Sequence, residues 1–211
     1  IGNLNVVQSY AGGVVEAINI EEGEYVQAGD VLIHLNTETL DVDEKQLQSQ
    51  KKILEEQQKI YQKIKAGEDV SAIKVSDYDA ELQPYIQAIL DADTSYKNTL
   101  ANLEKEKSNA DLNQQIGQLQ LEEYQANGTE REAESQKLIN QQYALAVEQA
   151  DLQINDTKTQ YSAQINSKIS ENDTQLIEIE SNLEKYQLSI AYQDITAPVS
   201  GYVNSISVNT I

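Results

Sequence analysis

Residues 129–192 contain neither Gly nor Pro. A breaker-free run of about 64 residues is far longer than the roughly 11–12 residues of an average helix. Its lower half carries a seven-residue repeat. Ile165, Asn172, Ile179 and Tyr186 share one position, and Ile169, Leu176, Leu183 and Ile190 share another. Alternating steps of four and three place all eight on one stripe. Tyr143, Val147, Ala150, Ile154, Thr157 and Tyr161 form a second run upstream. It joins the first with one residue too many, since Tyr161 to Ile165 is a step of four where three is due. A helix with a single apolar stripe must bury it against something.

The remaining composition limits what that something is. Of 211 residues, 35 are acidic and 15 basic, and only 39% are hydrophobic. A large globular core is therefore not expected; long helices with a thin seam and one small folded part are. A net charge of −20 repels nucleic acid and anionic membrane surfaces. With no Cys, thiol and disulfide chemistry are excluded. No apolar run is long enough for a membrane-spanning helix. There is no initiator Met or signal peptide, so the chain reads as a piece of a longer protein.

The chain opens with short strands over residues 1–36. Leu4, Val6, Val14, Ile18, Ile20, Val26, Val31, Ile33 and Leu35 are separated by Gly-containing turns. Helices follow at 40–66 and 84–126, with an irregular segment at 67–83. Asp41 with Glu44 suits the start of the first, and Lys63, Lys65 and Gly67 suit its end. Ser76 with Asp79 is a possible capping box, and Pro84 fits a first helical turn. The second helix keeps a three-four spacing through Ile89, Tyr96, Leu100, Leu103 and Ala110. Leu112, Ile116, Leu119 and Tyr124 continue it out of phase. A tip at 127–129 ends it, and Thr129 with Glu132 completes a capping box for the returning helix, 129–192. Strand patterning resumes over 194–211. The expected class is α+β, with a long antiparallel coiled-coil hairpin between two halves of a small β domain. At about 1.5 Å per residue the returning helix measures roughly 95 Å. Closure requires the first two helices to run outward as one interrupted arm, with the segment 67–83 as a side excursion.

The stretch from Gly13 to Leu32 has the cadence G-x-V, then I-x-I-x-x-G-x-x-V-x-x-G-D-x-L, with glycines at Gly13, Gly23 and Gly29. The stretch from Ile195 to Val208 reads I-x-A-P-x-x-G-x-V-x-x-I-x-V, with Pro198 and Gly201. These resemble the two half-motifs of a biotinyl/lipoyl domain, with the glycines at its turns. A split lipoyl domain carrying a helical hairpin resembles the HlyD-type membrane fusion proteins, or periplasmic adaptors. That resemblance implies an extracytoplasmic protein of the cell envelope, anchored in the cytoplasmic membrane as a full-length chain. It implies partnership with a membrane transporter and assembly as a homo-oligomer. Adaptors that dock a TolC-like channel carry an Arg, Leu and Ser constellation at the tip. Here Arg131 is followed by Leu138 at seven and Leu145 at fourteen, where no Ser stands, so a TolC-like partner is not expected. The expected system is a Gram-positive one with an ABC exporter of peptides, bacteriocins or proteins. The alternatives are a drug-efflux adaptor, or a fibrous surface coiled coil whose two β stretches lie apart.

No cofactor is expected. A lipoyl carrier needs a Lys near Thr39, and the nearest is Lys45, inside a helix. His34 is the only His and lacks the companions of a metal site. Asp41, Asp43 and Glu44 lack the spacing of a calcium loop and suit a helix start instead. Three N-x-S/T triplets, at Asn127, Asn155 and Asn172, match the glycosylation acceptor pattern, which is common by chance. Asn172 sits in the seam, either tolerated there or setting register through a polar partner. Leu138, Leu145 and Leu152 form a line that is seam or an exposed strip for a neighbouring protomer. No nucleophile–base pair, phosphate loop or metal cluster appears, and no enzyme is expected. The candidate partner contact is the tip: Asn127, Gly128, Thr129, Glu130 and Arg131.

Overall fold

The structure, a computed structural model, describes residues 3–10 and 12–208. The chain divides into two units: 1–55 with 173–211, and 56–172. Both dividing points lie within long helices.

The first unit contains the β domain. Strands β1 (Val14–Ile18), β3 (Val31–Asn36) and β4 (Asp194–Thr196) form one antiparallel sheet in the order β1-β3-β4. Strands β2 (Tyr25–Val26) and β5 (Gly201–Tyr202) form a second. Each sheet takes strands from both half-motifs, so the two stretches meet, contrary to the fibrous alternative. Turn residues extend the pairing: Gly23 N–H donates to the Val203 carbonyl, Gly29 N–H to Ala197, and Ala197 N–H to Asp30. Val26, Leu32, Ile33, Leu35 and Ala197 form the buried core between the sheets, with Val15, Ile20, Ile195, Val203 and Val208 packed around it. Gly13, Gly23 and Gly29 all have positive φ. Gly201 does not; it opens β5 opposite Val26, and Pro198 lies in the bend before it. Leu4 and Val6 lie outside any strand and are three-quarters exposed, 75% each. Apolar alternation alone supplies no ladder partner. Ile1, Gly2, Ala11 and residues 209–211 of the expected β halves lie outside the described residues.

Helix α1 (Glu38–Lys65) begins two residues before the expected position. Its cap is not Asp41. The Asn36 side chain accepts from the Glu38 N–H at 2.9 Å, and the Thr37 carbonyl accepts the first helical bond from Asp41. The Thr37 hydroxyl is engaged by Gln193 Oε1 at the end of the returning helix. Asp41 instead lies in the first turn, where the helix dipole favours a carboxylate. In the same unit Lys51 pairs with Glu180, and Gln187 donates to Glu44, which records α1 beside α3 (Glu130–Ala191).

In the second unit α1 ends at Gly67, whose φ of +79° makes the left-handed turn. Glu68 N–H reaches back to the Lys63 carbonyl and Gly67 N–H to Ile64, closing the last turn. A 3-10 turn, Val75–Asp77, follows with Lys74 as its N-cap, so Ser76 falls inside that turn and caps nothing. Helix α2 (Gln83–Asn127) starts from Leu82 with Pro84 in its first turn. Ile60, Val70 and Ile86 are the most deeply buried large side chains.

Along α3 every seam position read from the sequence is buried or half-buried, from Tyr143 to Ile190. The extra residue between Tyr161 and Ile165 has a tertiary cause. Tyr161 stacks on Tyr96 of α2, with centroids 3.8 Å apart, whereas the Ile169 carbonyl accepts from Gln58 of α1. The phase shifts where α3 changes partner. Asn172 is buried beyond that point, and its amide donates to Gln57 Oε1 on α1.

Candidate functional site

The tip is built from three local devices. Gly128 N–H closes α2 on the Tyr124 carbonyl. Its φ is extended, so handedness does not require glycine; space does. A Cβ there would lie 2.9 Å from Tyr124 Cα and 2.6 Å from Glu132 Oε2. The capping box is reciprocal: Thr129 N–H donates to Glu132 Oε2, and Glu132 N–H to Thr129 Oγ1, both at 3.2 Å. Asn127 donates to Glu123 one turn back. Asn127 to Arg131 are all exposed, with Glu130 and Arg131 in the first turn of α3.

Just behind the tip the two helices approach closely. Gly117 is buried on α2, and Asn140 Nδ2 donates to its carbonyl at 3.0 Å. Buried Gln136 donates in turn to Asn140 Oδ1. Here the seam departs from the pattern read in the sequence. Its α2 line runs Ile89, Asp93, Tyr96, Leu100, Leu103, Lys107, Ala110, Gly117, Leu121 and Tyr124, all buried or half-buried. Leu112, Ile116 and Leu119 are not a displaced continuation of it; they are 54%, 61% and 65% exposed. A glycine in the seam draws the backbones together, and apolar periodicity alone cannot reveal that.

Leu138, Leu145 and Leu152 on α3 are likewise exposed, at 64%, 53% and 55%. Both rows face away from the seam on their helices, so they occupy opposite outer sides of the α2–α3 pair. The contacts Gly117–Asn140, Tyr96–Tyr161 and Lys107–Asp151 define the antiparallel register. That register sets Leu119 level with Leu138, and Leu112 level with Leu145.

A fourth feature anchors the excursion. The Tyr161 hydroxyl donates to Asp93 Oδ1 at 2.6 Å, and Lys97 Nζ lies 2.9 Å from Asp93 Oδ2 and 3.3 Å from Asp69 Oδ1. The Asp93 side chain is only 6% exposed, so its charge is taken from water and is answered by these two partners. The Ser71 backbone N–H, then its hydroxyl, then Lys97 lower the Asp69 carboxyl to about 2. Burial, followed by the bond to Asp93, pushes the Tyr161 hydroxyl up.

The glycine and proline positions of the half-motifs, Gly13, Gly23, Gly29, Pro198 and Gly201, come together in the β domain; the tip residues lie in the second unit. The lipoyl carrier position is where α1 begins, and Lys45 is on that helix. No helix among the described residues is long and apolar enough to cross a membrane.

A crystal structure of the soluble domain of LipC, a membrane fusion protein of a type I secretion system, is similar in fold, with a TM-score of 0.53 and 16% identity over 95% of this chain and 91% of that one. The periplasmic adaptor protein EmrA aligns with a TM-score of 0.46 and 13% identity, over 99% of this chain and 67% of that one. No curated protein matches in sequence. The sequence does match the family described as RND MFP, barrel-sandwich hybrid domain, over residues 4–210. With a sandwich assembled from two half-motifs and a helical hairpin between them, the chain belongs to that family of membrane fusion proteins.

Proposed function

We propose that this chain is the adaptor subunit of an export system, linking a cytoplasmic-membrane transporter to the next envelope component or to the exterior. LipC serves a type I secretion system; an export role of that class, with an ABC exporter of peptides, bacteriocins or proteins, is our reading here. The observation that carries it is the pair of leucine rows. Six large apolar side chains on the two outer sides of one helical pair leave that pair unfinished as a monomer. The equal heights of Leu112 with Leu145 and of Leu119 with Leu138 suit a second copy set alongside, with the Leu112–Leu119 side of one against the Leu138–Leu152 side of the next. Charge supports the same occupant. Lys105, in line with Leu112 and Leu119, comes level with Leu152 between exposed Glu148 and Asp156. Arg131, in line with Leu138, comes near the level of exposed Glu122 and Glu123. Such head-to-tail contacts build a ring when the rotation between copies closes, and an open filament when it does not.

The exposed tip is then free to meet the next component. Glu130, Glu132 and Glu134 outnumber Arg131 there, so the partner surface is basic or neutral polar, and the contact weakens with salt. The test is export by cells carrying the full-length protein with residues 125–134 replaced by a plain Asn-Gly turn. At normal abundance, reduced export supports a tip contact. Unchanged export removes the tip and leaves the leucine sides as the functional surface.

A further inference from the structure

Three strands converge on His34. In the β1–β3 ladder Val15 pairs with Leu35 and Ala17 with His34, which leaves Glu16 as the extra residue of a bulge. A bulge re-aims a side chain out of strict alternation, and Glu16 Oε2 lies 3.2 Å from His34 Nε2. On the other flank β4 sets Asp194 directly opposite His34, with Asp194 Oδ1 on His34 Nδ1. One imidazole therefore touches a carboxylate from each half of the β domain. Asp194 also stands where the chain leaves α3, beside Gln193, whose carbonyl accepts from Leu35 N–H and whose side chain accepts from Thr37.

A neutral imidazole has one N–H and can donate to only one of two carboxylates; the imidazolium donates to both. We propose that His34 is a pH-sensitive latch of the split sandwich: protonated, it ties Glu16 on β1 and Asp194 on β4 at once, and on losing its proton it releases one of them. Among the described residues the charged groups against it are these two, one from each flanking strand, and β3 itself carries no other titratable side chain. The bond from Asp194 raises the imidazole above its ordinary value, desolvation opposes this, and the charges of Asp194 and Glu16 add to the rise. A group raised on folding stabilises fully below its unfolded value of about 6.5, and that contribution is lost as pH rises through the folded value. The three-stranded sheet around His34 is thus held more tightly at mildly acidic pH. The latch is independent of the export reading, since it concerns only how the two halves close.

His34 is the only histidine, so its imidazole resonances are unambiguous in the whole chain. The experiment is an NMR titration of those resonances alongside amide-exchange protection at Leu35, corrected for intrinsic exchange. The expected result is a His34 midpoint above 6.5 and a Leu35 protection that falls about two- to fivefold across it, the range of partly exposed ion pairs. His34→Gln should abolish that fall, and Glu16→Gln should reduce it while the fold persists. A His34 midpoint at or below 6.5 overturns the proposal. So does an unchanged pH dependence of Leu35 protection in His34→Gln, and the wild-type titration decides even where a variant folds poorly.

Discussion

The side-chain amide of Asn140 donates to the backbone carbonyl of Gly117 across the α2–α3 seam. The contact exists because glycine leaves the groove open: a Cβ at 117 would lie 2.2 Å from Asn140 Oδ1 and 3.0 Å from Tyr143 Cδ2. Gly117→Val should therefore displace Asn140, break its link to Gln136 and cost about 1–3 kcal/mol, as over-packing does. Asn140→Ala should cost less, about 1 kcal/mol, the net worth of a hydrogen bond. Urea unfolding of both variants measures the difference; equal stability of Gly117→Val and wild type would show that the helices have room to spare.

The leucine sides are testable by cross-linking, because the chain has no Cys of its own. In the Leu112→Cys, Leu145→Cys double variant the two sulfurs lie on opposite outer sides of one hairpin. Oxidation should yield a ladder of disulfide-linked species that collapses on reduction. Each single variant should stay monomeric, while an equimolar mixture of the two should stop at a dimer. Homodimers from a single variant would instead point to a symmetric contact.

At the tip, Thr129→Ala removes the oxygen that accepts from Glu132 N–H. Loss of such a cap costs about 0.5–2 kcal/mol. Amide exchange should rise at residues 130–133 and stay unchanged at the buried Ile154 and Ile165. Uniform loss of protection along α3 would be inconsistent with a local cap.

Lys97→Met leaves the buried Asp93 with Tyr161 as its hydroxyl partner and removes the tie of Asp69 to α2, while Asp69 keeps its bond from Ser71 N–H. A cost of about 1–3 kcal/mol is expected, below the range for fully buried pairs because the Lys97 head is half-exposed. The pH dependence of the Asp69 clip follows from its depressed carboxyl. The contribution is complete above the unfolded value of about 3.9 and is lost as pH falls through about 2. An acid-tolerant protease should cut the 67–82 excursion at a constant rate from neutrality to about pH 4, and faster below. Asp69→Asn should remove that acid step; an acid step of the same size in Asp69→Asn would assign it to another group.

Sequence alone determined the parts governed by local chemistry and long periodicity. The seam of α3, the breaker at Gly67, the Thr129–Glu132 box and the two β half-motifs are each written in residues close along the chain, and each stands where the pattern puts it. Tertiary structure decided what depends on residues far apart. The skip at Tyr161 marks the change of partner from α2 to α1, and a single helix cannot show that. Gly117 replaces a large apolar residue in the seam because Asn140 arrives from the other strand of the hairpin, so Leu112, Ile116 and Leu119 go to the outside. Asn36 caps α1 in place of Asp41, because the helix already begins at Glu38 and Asp41 falls inside its first turn. His34 reads as an isolated surface histidine until a bulge at Glu16 and the return of Asp194, 160 residues later, give it two carboxylates. In each case the deciding contact joins groups that only folding brings within hydrogen-bond range.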